Sequence, residues 1–73
     1  MSQHHFAICI DNVGYEAALE IRKIYETIPD EEAARLGLTR VIDESGGDYL
    51  YPATYFVPID LPQKVERAML GRT

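Results

Sequence analysis

Large apolar residues alternate with smaller or polar ones through HFAICID at residues 5–11, placing Phe6, Ile8 and Ile10 on one face and Ala7, Cys9 and Asp11 on the other. That period of two predicts a β-strand, and Asn12 to Gly14 then supply turn residues that tolerate positive φ. Residues 38–43 and 48–51 read as two further strands, joined by Glu44-Ser45-Gly46-Gly47 as a hairpin tip. Pro52 has no amide to give a ladder and should stop the second of them. Ala53-Thr54-Tyr55 then makes a tight turn into a short last strand at 56–59, where Pro58 calls for a sheet edge or an unpaired position.

Two segments carry helical signals. Asp30 can cap a first turn that begins with Glu31 and Glu32, and Gly37 suits the left-handed residue that ends it, so a short helix is expected over 31–36. Its Ala33, Ala34 and Leu36 should lie against the sheet. A second helix is expected over 62–70, with Pro62 in the first turn and Leu61, Val65, Ala68 and Met69 on one stripe. Residues 15–28, YEAALEIRKIYETI, fit two descriptions: Ala17, Ile21, Ile24 and Ile28 recur at helical spacing, whereas KIYETI alternates and is rich in β-branched and aromatic residues.

The chain has 73 residues, which makes one domain of residues 1–73, with 61–73 as a tail or helix. A chain of this size buries only about 60% of the surface its unfolded form exposes, and its core supplies roughly 3–5 kcal/mol. With 47% hydrophobic residues it is too apolar for disorder, while no apolar run reaches the ~18–20 residues of a membrane helix. No secretory leader is legible in MSQHHFAICID, so a soluble cytoplasmic protein is expected, with no membrane partner. Seven Lys and Arg against twelve Asp and Glu leave a net charge of −5, a field that opposes phosphate backbones, and no basic run offsets it. Nucleic acid is therefore not an expected partner.

Three features resemble known proteins. The succession strand, acidic loop, strand, hairpin, proline-led turn and short last strand resembles an SH3-like five-stranded β-barrel, and PATYFVPI is similar to the SH3 stretch in which a proline and, three residues later, a tyrosine occupy the turn before the last strand. Here those residues are Pro52 and Tyr55. The resemblance implies a groove for proline-rich peptides in the polyproline II conformation. The chain departs from that pattern in having no Trp, and in having Tyr49 where a glycine usually stands. The combination LEIRKIYETIPDEEA, RVIDESGGDYLYP and YFVPIDLP is similar to a family of small, uncharacterised bacterial proteins, across roughly residues 8–62. This resemblance implies an SH3-like barrel without an assigned activity, and places a strand at about 19–28.

The residues with chemistry to offer are few. Tyr49 and Tyr51 share one strand face with Leu50 on the other, and Tyr55 follows a turn later. If Leu50 points inward, the tyrosines line an outer face beside Pro52, where aromatic rings give contact area at low entropic cost; the alternative is that they cover the barrel and bond locally. The loop 43–48 is acidic but lacks the spacing of a calcium-binding loop. His4 and His5 with Cys9 or Asp11 offer metal donors but no distant further ligand, and Cys9, the lone cysteine, has no base placed to activate it. No enzyme, cofactor or metal is therefore expected. The expectation is a mainly β, SH3-like, non-catalytic binding or assembly module acting on another protein or on itself through Tyr49, Tyr51, Pro52 and Tyr55, with acidic surface at Glu16, Glu20 and Glu44. A homo-oligomeric structural or regulatory subunit assembled through the 62–70 helix is the alternative, and a small metal-binding protein a third.

Overall fold

A computed structural model describes residues 4–42 and 46–70. Five strands form one antiparallel sheet: β1 (His5–Cys9), β2 (Ile24–Ile28), β3 (Leu38–Ile42), β4 (Asp48–Pro52) and β5 (Phe56–Ile59), in the order β4-β3-β2-β1-β5. Helix α1 (Glu31–Arg35) joins β2 to β3, a single 3-10 turn (Ala53–Tyr55) joins β4 to β5, and helix α2 (Gln63–Met69) follows. The mainly β expectation with five strands and a short helix holds. The ladder is open: β4 and β5 end the sheet and, among the described residues, do not pair with each other. They meet instead through the 3-10 turn and the rings of Tyr51 and Phe56, whose centroids are 6.2 Å apart.

Directly opposed residues in an antiparallel ladder share a face, so the register sorts the side chains. His5 opposes Thr27, Ala7 opposes both Tyr25 and Pro58, Cys9 opposes Phe56, Thr27 opposes Val41, and Thr39 opposes Tyr51. This is the inner face, and Ala7, Cys9, Tyr25, Val41, Tyr51 and Phe56 are buried together there with Leu19. The outer face carries Phe6, Ile8, Ile24, Glu26 and Ile42. Phe6 is buried all the same, because the end of α2 lies near it: Phe6, Ile24, Ile42, Met69 and Leu70 line one cleft.

The strand expected over 19–28 is only half formed. Cys9 donates its amide to the Lys23 carbonyl at 2.9 Å and accepts from the Arg22 amide at 2.7 Å, so one residue of β1 faces two of the other chain. That is a β-bulge, and Arg22 sits in it at φ 72°. Residues 15–21 before it form turns rather than strand or helix, which lets Leu19 fold back into the core, where it is 1% exposed. Burial of one leucine outweighs the alternation of its neighbours. The strand expected over 5–11 likewise ends at Cys9, since Ile10 and Asp11 begin this loop.

The cap of α1 forms as expected. Asp30 Oδ1 accepts from the Ala33 amide at 3.0 Å, and Gly37 takes the left-handed conformation at φ 74°. Of the three residues expected against the sheet, Ala33 alone is buried; Leu36 caps the helix and is 70% exposed, because a helix this short turns only one narrow strip inward. The α2 stripe is also displaced. Glu66, not Val65, is the buried residue, and Val65 and Met69 are exposed. Of the acidic hairpin tip, Asp43, Glu44 and Ser45 lie outside the described residues.

Arg40 ties three elements together. Its guanidinium donates to Asp30 Oδ2 at 2.8–2.9 Å and to Asp48 Oδ2 at 2.6 Å, joining the α1 cap to β4 across β3. The Ala33 amide, then Arg40, holds the Asp30 carboxyl below the ordinary aspartate value of 3.8. A carboxyl lowered by folding contributes stability above its unfolded pKa, and that contribution is lost as pH falls through the folded value. Urea midpoints measured from neutral pH down through 3.8 should therefore drop more steeply for the wild type than for Asp30→Asn. Equal slopes would show that the cap carries no linkage.

The bulge supplies a second prediction. A non-glycine residue in the left-handed region costs about 1–2 kcal/mol, and glycine there gives back roughly 0.5–1 kcal/mol as unfolded-state entropy. Arg22→Gly should stabilise the protein by about 0.5–1 kcal/mol, raising the melting temperature in calorimetry by roughly 2–8 °C. A lower melting temperature would show that the Arg22 side chain outweighs the backbone strain.

Candidate functional site

The 10–23 loop is held in place by its own polar groups. Asp11 Oδ1 accepts from the Val13 amide at 3.1 Å, Gly14 follows at φ 87°, and the Tyr15 amide returns to the Asn12 carbonyl at 2.8 Å. One helical turn then carries the Leu19 amide to the Tyr15 carbonyl at 2.8 Å, while Asn12 Nδ2 donates to the Leu19 carbonyl at 2.9 Å. The Tyr25 hydroxyl accepts from the Glu20 amide at 2.9 Å. Leu19 is thus fixed from both sides, and Tyr15 is carried over the end of the sheet.

There Tyr15 meets two of the candidate residues. Its ring stands edge-on to Tyr51 at 5.2 Å and to Tyr55 at 6.1 Å, and the series continues inward through Phe56 to Tyr25. The Tyr55 hydroxyl donates to the Val13 carbonyl at 2.7 Å and locks the 3-10 turn to the loop. Desolvation first, and then the charges of Asp11, Tyr15 and Glu16, push the Tyr55 phenol above its ordinary value of 10.0. It therefore remains a donor at neutral pH.

The four residues expected to act together divide. Tyr51 is 7% exposed and belongs to the core, so the alternation runs with Tyr51 inward and Leu50 outward. Pro52 opposes Leu38 at the start of the 3-10 turn and is half-buried. Tyr49 shares the inner face of β4 with Tyr51 but lies at the open end, 51% exposed. The surface that remains is Tyr15 and Tyr55 over Tyr51, with Asp11 and Glu16 at its rim and Pro52 at the start of the turn that carries Tyr55. Tyr15 was not singled out in the sequence; the one signal for it was its place directly after the Asn12–Gly14 turn.

The remaining candidates are dispersed. His5 and Cys9 do share the inner face of β1, but Cys9 is wholly buried and its Sγ donates to the Asp11 carbonyl at 3.2 Å. His4 Nδ1 is 2.7 Å from Glu26 Oε2 on the outer face. Among the described residues, no three His, Cys, Asp or Glu side chains converge as metal ligands. Glu20 pairs with Lys23 at 3.3 Å, and Glu44 lies outside the described residues. A groove of about 510 Å³ opens at the other end of β1, with Ala7, Thr27, Thr39, Phe56 and Pro58 among its lining residues and Asp30, already engaged by Arg40, at its rim. No helix among the described residues is long and apolar enough to cross a membrane.

Tyr55→Phe removes the bond that ties the 3-10 turn to the Val13 carbonyl and should lower the urea midpoint at neutral pH; an unchanged midpoint would show that the bond adds nothing to stability. Because the folded pKa is raised, the stability tied to this phenol is present at neutral pH and lost as pH rises past 10.0 through the folded value. Site-resolved NMR titration should place Tyr55 above 10.0, and Asp11→Asn with Glu16→Gln should bring it down; no movement would rule out those carboxylates as a cause. In the comparisons with known proteins, no family model, no curated protein and no solved structure matches the chain.

Proposed function

We propose that the chain is a non-catalytic binding module of the cytoplasm whose working surface is Tyr15, Pro52 and Tyr55, with Asp11 and Glu16 as an acidic rim, and whose partner is an extended protein segment carrying apolar and basic residues. The observation that supports it most is the pairing of Tyr15 with Tyr55. Two rings from distant parts of the chain stand edge to face on a platform built by Tyr51 and held by the Tyr55–Val13 hydrogen bond. A loop fixed by so many of its own hydrogen bonds presents these rings without further ordering, which lowers the entropic cost of binding. The flanking carboxylates favour a cationic residue in the ligand, and the net charge of −5 steers basic segments toward the whole molecule.

The resemblance to SH3-like domains points the same way, through Pro52 and Tyr55. Extended segments in the polyproline II conformation present flat pyrrolidine faces to aromatic rings and are already low in entropy. A synthetic proline-rich peptide with Lys or Arg at one end, titrated into labelled protein, should shift the amide resonances of residues 13–16 and 53–55. Tyr15→Ser should remove those shifts, and added salt should weaken them. Equal binding of the same peptide with Glu in place of its basic residues, or shifts confined to other parts of the sheet, would overturn the proposal.

A further inference from the structure

The two edges of the sheet are finished differently. In an antiparallel ladder, pairs that exchange both hydrogen bonds alternate with pairs that exchange none, and residues of the second kind turn their amide and carbonyl away from the partner strand. On the β5 side, the Ile10 amide donates to the Tyr55 carbonyl at 2.8 Å, which fixes the phase: Phe56 and Pro58 are the residues of β5 that face outward. The Phe56 amide is taken by the Ala53 carbonyl, and Pro58 has no amide. This edge offers no donor to an added strand.

On the β4 side, the Ala53 amide donates to the Gly37 carbonyl at 2.9 Å, so by the same alternation Asp48, Leu50 and Pro52 face outward. Pro52 has no amide, but Asp48 and Leu50 have both groups, and no backbone bond to another described residue engages them on that side. The side chains there are those of an interface. Tyr49 and Leu50 are both exposed, no Lys or Arg stands on β4, and Asp48 is bonded by Arg40. Exposed edges in natural proteins are ordinarily guarded by charges, prolines or bulges. Pro58 stands inside the β5 edge, whereas on β4 the proline is the last residue and the one charge, Asp48, is engaged by Arg40.

We infer that β4 is the contact between two copies of this chain, paired antiparallel about a two-fold axis at Tyr49 to continue the sheet from one copy into the other. The partner is a second copy because the strand is complementary to itself. With the axis at Tyr49, Asp48 and Leu50 of one copy stand opposite Leu50 and Asp48 of the other, and each such pair exchanges both backbone bonds. Nothing is wasted on Pro52, and each carboxylate faces a leucine rather than its twin. The two Tyr49 rings meet on one face, an aromatic cross-strand pair of the kind that stabilises antiparallel sheets. The contact uses neither the Tyr15–Tyr55 surface nor α2, and it is isologous, as two-fold dimers are.

The test uses the full chain and two variants. Leu50→Pro removes the outward amide while leaving the β3 ladder intact, since that amide does not face β3; Tyr49→Lys sets two like charges against each other at the axis. Sedimentation across the micromolar to submillimolar range should show the wild type passing from monomer to dimer, and both variants remaining monomeric while circular dichroism shows them folded. In the dimer, the Asp48 and Leu50 amides should become protected from hydrogen exchange as concentration rises. Added salt should tighten the dimer by screening the net charge of −5 on each copy. A wild type monomeric throughout, a dimer that survives both folded variants, or a dimer in which the Leu50 amide still exchanges freely would each overturn the inference; so would a Leu50 amide protected only when an extended segment of another protein is added. Should a variant unfold, exchange at Leu50 in the wild type decides alone.

Discussion

The fold turns on the hydrogen bonds that Cys9 makes to Arg22 and Lys23. Because one residue of β1 meets two of the returning chain, β2 begins at Ile24 rather than several residues earlier, and the residues released from the ladder are free to fold as a loop. That loop delivers Leu19 to the core and Tyr15 to Tyr51 and Tyr55. A 73-residue chain has little core to spend, and a leucine brought in from a loop adds apolar contact that five short strands do not provide. The same bulge therefore serves stability and the candidate site at once.

Much of this was legible because proline, glycine and acidic caps act locally. Pro52 marked the end of β4, Pro58 called for the edge position that β5 takes, Asp30 and Gly37 bracketed α1, and the glycines at 46–47 marked a hairpin whose arms are β3 and β4. The loop was not legible, because its conformation is decided by a contact distant in sequence. Nothing in LEIRK distinguishes a strand from a turn until Leu19 has a cavity to fill, and the left-handed position of the bulge is held by Arg22, where a glycine would have given it away. The orientation of β4 was hidden for a different reason. Alternation shows that Tyr51 and Leu50 take opposite faces, but the phase is set by Thr39 and Val41 across the ladder, and a tyrosine is as able to fill a core as a leucine.

Both faces of the sheet carry apolar residues, and this is unusual economy for so few strands. Phe6 on the outer face is buried beside the end of α2, while the inner face closes over Leu19 and Phe56. Arg40, on the outer face of β3, bonds both Asp30 and Asp48 and so ties α1 and β4 to β3. The hydroxyls of Tyr25 and Tyr55 do the equivalent work for the loop: each ring is packed against other aromatic rings and each oxygen is bonded to a loop backbone group. Shape at the candidate surface is thus set by phenol oxygens as much as by packing.

The place of β1 has a consequence for how the chain acquires its structure. It lies between β2 and β5, and its pairing with β5 joins Phe6 to Ile59, the most distant register in the sheet, whereas β2, β3 and β4 follow one another and close over short spans. Loop-closure entropy favours the local meander first and leaves the long-range pairing for last. As the chain is synthesised, β1 has only one neighbour until residue 59 has been made, so its second edge is unsatisfied for nearly the whole of that interval.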